Sequence, residues 1–335
     1  MQTMTPRDRF LAELRHEEPD RVPYFEYAVD AGVVEALTGR RLSRKETCRE
    51  FGICDLEVWR KPPVFVRYHD GAALGGRHIE ADGLIKSRGD LDLMRFPDPR
   101  DPQAFEEACQ IVEEKEEFAV GLVFNIALDP MLRSMGYAGF SYALQDDPGL
   151  VEEVLKRYVD WQLAALDQYQ QLGFDFALSG DDLAHKHGPF FSPAVFRDLL
   201  LPYAMQIARA VRVPWILHCD GNILPILDDL LTLGMAGLHP IEPLAMDIFA
   251  LKRDYGRRLC LIGNIDINTL ALGTPEEVRE EVRTKIRALA PGGGYVCASS
   301  TCIPEYARPE NFAALAQAVR DFGQYPIGVR SLVIS

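Results

Sequence analysis

The segment Trp215-Ile216-Leu217-His218-Cys219-Asp220-Gly221-Asn222 carries an imidazole and a carboxylate two residues apart. Either group can ligate a metal ion, and together they can move a proton, the carboxylate orienting the ring. Side chains alternate along an extended chain, so His218 and Asp220 share one face while Cys219 points the other way, with Trp215 and Leu217. The bland alternative is a hydrogen-bonded core histidine followed by an Asp that caps the next helix.

Other polar residues close apolar runs in the same manner: Glu26, Asn125, Asp181 with Asp182, Glu242, and Asn264 with Asp266. Loops that lead from strands into helices also need Asp, Asn and Ser as caps, so the informative feature is the convergence of several carboxylates with one His. His239 alternates away from Glu242 and precedes Pro240, which suits a structural role. His185 and His187 resemble a metal-rich loop but read better as a mobile loop over the mouth of the site. Cys297 and Cys302 fall at and just past the last apolar run, where a thiolate beside imidazole and carboxylate would suit zinc, although free Cys is also a common core residue.

The elements that must hold these residues form a repeating unit of apolar run, polar tip and helix. Strands are expected over 118–125, 174–182, 213–221, 237–243, 259–266 and 294–300, with two more near Val22–Tyr27 and Leu56–Trp59. Helix starts are explicit: Asp147-Pro148, Ser192-Pro193, the Thr274-x-x-Glu277 capping box with Pro275, and Arg308-Pro309. Thr5 to His16 reads as an amphipathic helix that caps the domain, and Val64–Tyr68 with Leu84–Ser87 as a hairpin insertion. Eight strands and no linker predict an α/β fold made of a single (β/α)8 TIM barrel over residues 1–335, with an N-terminal helical extension and a small hairpin insertion. An open doubly wound sheet is the runner-up, but no Gly-rich loop follows its first strand, and Gly292-Gly293-Gly294 precedes a strand, as a helix-to-strand turn would.

Composition narrows the partners. The 335 residues are 47% hydrophobic and 26% charged, enough for a large core. Thirty-six Lys and Arg against 50 Asp and Glu give a net charge of -14, which disfavours nucleic acid or an anionic membrane surface. No secretory leader or spanning segment is evident and the 7 Cys form no CxxC pair, so a soluble, cytoplasmic protein with free thiols is expected.

Over essentially its whole length the chain resembles the uroporphyrinogen decarboxylase superfamily. The resemblance rests on Thr5-Pro6-Arg7-Asp8-Arg9-Phe10-Leu11-Ala12, Pro19-Asp20-Arg21-Val22-Pro23, Gly180-Asp181-Asp182, Pro202-Tyr203, His218-Cys219-Asp220-Gly221-Asn222, His239-Pro240-Ile241-Glu242-Pro243, Gly263-Asn264-Ile265-Asp266 and Gly292-Gly293-Gly294-Tyr295. It implies a (β/α)8 barrel and one of two chemistries: cofactor-free decarboxylation of uroporphyrinogen, or zinc-dependent methyl transfer between corrinoid carriers and thiols. Two departures bear on the choice. The decarboxylases' Arg-Gln-Ala-Gly-Arg segment is replaced by Tyr24-Phe25-Glu26-Tyr27-Ala28-Val29-Asp30, which is acidic where a multiply anionic porphyrinogen needs guanidinium groups. The methyltransferases' His-x-Cys zinc motif has Asp220 at its Cys, and their later Cys falls on Thr301, next to Cys302.

The expectation from residues and resemblance together is a corrinoid-linked methyltransferase or demethylase acting on a small molecule or thiol. Its catalytic residues would be His218, Asp220, Glu242 and Asp181, with Glu26, Asn125, Asp182, Asn264 and Asp266 contacting substrate. Zinc, if held, would take His218, Asp220, Glu242 and Cys302, and methylcobalamin would serve as co-substrate or ride on a partner corrinoid protein. The alternatives are a decarboxylase of another carboxylated substrate and a binding barrel without chemistry.

Overall fold

The structure is a computed structural model, and it describes residues 3–69 and 79–328. Its strands are β1 (Asp55–Trp59), β2 (Val66–His69), β3 (Ile79–Gly83), β4 (Ala119–Phe124), β5 (Phe176–Gly180), β6 (Ala184–His185), β7 (Gly188–Pro189), β8 (Trp215–His218), β9 (Gly237–His239), β10 (Cys260–Ile262) and β11 (Tyr295–Val296). Seven of them form one parallel sheet in the order β1-β4-β5-β8-β9-β10-β11. Tyr24 closes it, bridging in parallel to Ile53 before β1 on one side and to Cys297 after β11 on the other. The Cys54 N–H donates to the Tyr24 carbonyl at 2.8 Å and the Phe25 N–H to the Cys297 carbonyl at 2.9 Å. Counting the segment around Tyr24, this is the expected eight-membered α/β barrel. Closure removes both sheet edges, and every barrel strand faces packed side chains on two sides.

The alternation read from the sequence sorts the core into two shells. Phe25, Val123, Phe176, Leu178, Ile216, Ile262, Val296 and Ala298 meet inside the barrel, while Leu122, Leu217, Cys219, Leu238 and Cys297 belong to the larger shell under the helices. Interior layers need small residues opposite large ones: Gly121 lies beside Phe176 in register, and a Cβ there would come 2.3 Å from its ring. The helix Pro6–Leu14, capped by Thr5, drives Phe10 into the N-terminal end of the barrel, 4.9 Å from the Phe176 ring centroid and 5.9 Å from that of Phe25. A fully buried Phe contributes about 2–3 kcal/mol through burial alone, so this extension is part of the core.

The expected helix starts hold. Ser192 accepts from the Val195 N–H, Thr274 and Glu277 form the capping box, and the helix Pro148–Tyr169 buries its stripe from Leu150 to Tyr169. Gly292, Gly293 and Gly294 all have positive φ between the helix Pro275–Leu289 and β11, the predicted turn. The hairpin insertion differs in its second strand. β2 pairs antiparallel with β3, not with Leu84–Ser87. Leu84 still donates its N–H to the Phe65 carbonyl at 2.9 Å, but Ser87 donates its N–H and hydroxyl to Asp90, which starts the turn Arg88–Leu93 and ends the pairing there. Part of the hairpin lies outside the described residues. No helix among the described residues is long and apolar enough to cross a membrane.

Candidate metal and catalytic centre

β5, β8 and β9 are parallel neighbours in register, Gly180 facing His218 and His218 facing His239. All three end at the same mouth, so the residues that follow them converge. Asp182 Oδ1 accepts from the Asp220 N–H at 3.2 Å. One ligand atom from each of Asp182, His218 and Asp220 lies within 4.8 Å of the others, and this is the donor cluster formed among the described residues. Asp182, expected as a substrate contact, thus joins the His218–Asp220 pair. Glu242 stands behind it, accepting from the Gly221 N–H at 2.6 Å, and does not belong to the donor group. Neither does Cys302, and Cys297 faces the helices.

The electrostatics of these residues would suit a cation better than an anion. Burial pushes the Asp220 carboxyl up to about 7, helped by the charges of Asp182 and Glu242, and its Oδ1 is buried without a hydrogen-bond partner. A divalent ion would relieve both costs. Burial likewise drives His218 down to about 4, which keeps its ring neutral as a ligand must be, against the pull of the Asp182 charge. One imidazole and two carboxylates fit a divalent ion, with harder donors than a thiolate zinc site has.

Around the cluster stand side chains that the polar-tip pattern does not reveal. Tyr27 lies flat on His218, with ring centroids 4.4 Å apart at 19°. Lys61, two residues past β1, reaches over Gly180: a Cβ there would come 2.9 Å from its Nζ and 3.4 Å from the Tyr27 hydroxyl. Only glycine leaves that space open. Lys61 also sits 5.6 Å from the Trp59 ring centroid, and its charge helps hold the His218 ring neutral. Outward from Asp182, a cleft of about 390 Å³ is lined by Asp129, Arg133 and Tyr137 and by Asp82 and Gly83 of the hairpin. Burial and Asp181 raise the Asp129 carboxyl to about 7, and Arg133 pairs with it at 3.6 Å. The backbone positions of Tyr27 and Lys61 after strand ends were the available signal for both.

Several expected site residues serve the scaffold. Asp181 is fully buried and accepts from the N–H groups of Ile126 (2.8 Å), Leu128 (3.1 Å) and Asp129 (3.0 Å) and from the Ser179 hydroxyl, so it holds the loop after β4. Asn125 donates to the Gly180 carbonyl and Asn264 to that of Ile241. Asp266 caps the helix Ile267–Leu272. Glu26 shares the parity of Tyr24, not of Phe25, and binds the Ser299 N–H and hydroxyl as a clamp between the first and last barrel segments; burial raises its carboxyl to about 7. Of the residues expected to converge at the strand ends, Glu242 stays close to the cluster, near enough for its charge to act on Asp220, whereas Glu26 bonds Ser299 and Asn264 donates to Ile241. His185 and His187 occupy the β6–β7 hairpin, exposed and outside the donor cluster.

Comparisons with known proteins agree with this architecture. A family model described as "Uroporphyrinogen decarboxylase (URO-D)" matches residues 83–322. A uroporphyrinogen decarboxylase of Neisseria gonorrhoeae is 26% identical over 179 residues, 51% of this chain and 49% of that protein. One from Xanthomonas axonopodis pv. citri is 30% identical over 169 residues, 48% of this chain and 45% of the relative. These alignments span about half the length of the curated relatives. A solved structure, a methyltransferase from Methanosarcina mazei, superposes with a TM-score of 0.71 at 20% identity, covering 95% of this chain and 99% of the other.

Proposed function

The chain belongs to the uroporphyrinogen decarboxylase family, and from that premise we propose that it transfers a methyl group between a corrinoid carrier and a small molecule or thiol, with Asp182, His218 and Asp220 holding a divalent cation. The observation that carries this reading is the three-donor cluster at the barrel mouth. A cation held there lowers the pKa of a bound thiol or hydroxyl and makes it nucleophilic near neutral pH. The chain's own residues supply the rest. His218 offers a neutral ring held against Tyr27, and Asp182 and Asp220 supply negative charge. Lys61 limits the excess of that charge, and the closed apolar interior below excludes water from one side.

A polyanionic porphyrinogen suits this mouth poorly. Asp129, Asp182, Asp220 and Glu242 outweigh Lys61 and Arg133, and like charges repel within a desolvated cleft. Decarboxylation of a smaller acid is the second reading, favoured by the Asp220 carboxyl at about 7 on the same mouth as the Lys61 ammonium: the first could return a proton to carbon and the second could bind a carboxylate.

The two are separated by supplying methylcobalamin with a panel of thiols and methoxylated small molecules and, in parallel, by following carbon dioxide release from a panel of small carboxylic acids and from uroporphyrinogen. Methyl transfer predicts a cobalamin spectral change that His218→Ala abolishes and little carbon dioxide. Carbon dioxide release without any cobalamin response would replace this reading with decarboxylation.

A further inference from the structure

His239 was expected to be structural, yet among the described residues it is the imidazole that touches His218. Both residues end neighbouring parallel strands in register and point into the barrel, their Nδ1 atoms 2.7 Å apart. Two ring nitrogens at that distance share a single hydrogen, so one donates and the other accepts. His239 is fully buried, and its Nε2 has no hydrogen-bond partner. Its other close neighbours are rings: Phe25 in a T-shaped contact with centroids 5.2 Å apart, and Tyr27 at 6.0 Å. An apolar residue would fill this place without an orphaned nitrogen, so the contact with His218 is what distinguishes a histidine here.

The direction of the shared hydrogen decides what His218 can bind. With the hydrogen on His239 Nδ1, His218 must carry its own on Nε2, which closes that nitrogen to a cation. With the hydrogen on His218 Nδ1, Nε2 is bare. We propose that His239 is a positioning residue: its Nδ1 accepts the His218 Nδ1 hydrogen and so presents the bare Nε2 of His218 to the divalent cation shared with Asp182 and Asp220. The inference rests on the cation reading of the site. In this state His239 carries its hydrogen on the orphaned Nε2, a cost that the bond made at His218 offsets. A partner on the second ring nitrogen fixes both the tautomer and the ring orientation of a ligating histidine. Here that partner is a second histidine supplied by the adjacent strand.

The test is calorimetric titration of zinc into protein stripped with chelator. His239→Phe keeps the volume and removes the acceptor, and should weaken zinc binding about 10- to 100-fold. His239→Asn places an amide oxygen near the lost Nδ1 and should restore affinity to within about threefold of wild type, a rescue that mere cavity filling would not give. Nitrogen-15 NMR of the zinc-loaded wild type reads the tautomer directly, even where a variant fails to fold: the His218 hydrogen is expected on Nδ1. A His218 hydrogen on Nε2 in the loaded protein, or His239→Phe binding zinc as tightly as wild type, overturns the proposal. His218→Ala is the control that keeps the two readings apart. If it loses zinc while His239→Phe does not, only the role of His239 falls; if it keeps zinc, the cation site itself falls.

Discussion

Tyr27 and His218 stack nearly parallel, with centroids 4.4 Å apart, which fixes the imidazole between the aromatic wall and the neighbouring strand. The face of the phenol ring does this, since the structure gives the hydroxyl no hydrogen bond to His218. Tyr27→Phe should therefore leave stability and cation affinity close to wild type. Tyr27→Ala opens one side of the ring and should cost about 2–3 kcal/mol of stability, a truncation somewhat cheaper than that of a wholly buried aromatic. Urea denaturation together with zinc titration checks both variants; equal losses in the two would place the role in the hydroxyl.

Asp181 should prove a folding residue. Its carboxylate satisfies three backbone N–H groups after β4 and the Ser179 hydroxyl. Asp181→Ala strands those donors in the core and should cost about 3 kcal/mol or more, whereas Asp181→Asn, whose oxygen still accepts, should cost less. The denaturation midpoints of the two variants order the effects. An Asp181→Ala protein as stable as wild type but inactive would return the residue to the catalytic set.

A pH dependence is built into the opposite end of the barrel. Burial pushes Glu13 from 4.5 to about 7, against the bonds it accepts from the Tyr295 N–H and the Tyr325 hydroxyl. The Tyr325 hydroxyl also lies 2.8 Å from the Ala290 carbonyl. Its single hydrogen can serve only one of them, so a protonated Glu13 completes the chain by donating to the phenol oxygen. The native state thus binds more protons than the unfolded chain between these two values, and the contribution of Glu13 is fully present below pH 4.5 and lost as pH rises through about 7. Glu13→Gln mimics the protonated form. Relative to wild type it should gain up to about 3 kcal/mol at pH 8 and little at pH 4.5, measured by urea unfolding at both values. A difference independent of pH would contradict this.

Much of the scaffold was legible because it rests on alternation. The parity of His218 against Cys219, the capping box at Thr274 and the run of strands each follow from local pattern, and the structure reproduces them. What the pattern cannot carry is register between strands. Asp182 joins His218 only because Gly180 and His218 lie opposite each other, and His239 meets His218 by the next step of the same register. Nor does residue type separate chemistry from scaffolding: Asn125, Asp181, Asn264 and Glu26 have the composition of an active site, but Asp181 and Glu26 bond backbone groups and the Ser179 and Ser299 hydroxyls, and the Asn125 and Asn264 amide N–H groups bond carbonyls, leaving Asn264 Oδ1 buried without a partner. The hairpin was misplaced for a local reason, since Ser87 and Asp90 form a cap that an apolar count does not register.

The most direct test of the account is a count of divalent metal in the protein purified without chelator and then loaded with zinc. Wild type should retain about one equivalent per chain after desalting. His218→Ala and Asp182→Asn should each lose most of it, because each removes one of three donors that meet within 4.8 Å. Cys302→Ser and Cys297→Ser should retain it, since neither thiol belongs to that group. Equal metal in wild type and His218→Ala, or metal lost on Cys302→Ser but kept on Asp182→Asn, would contradict the site described here.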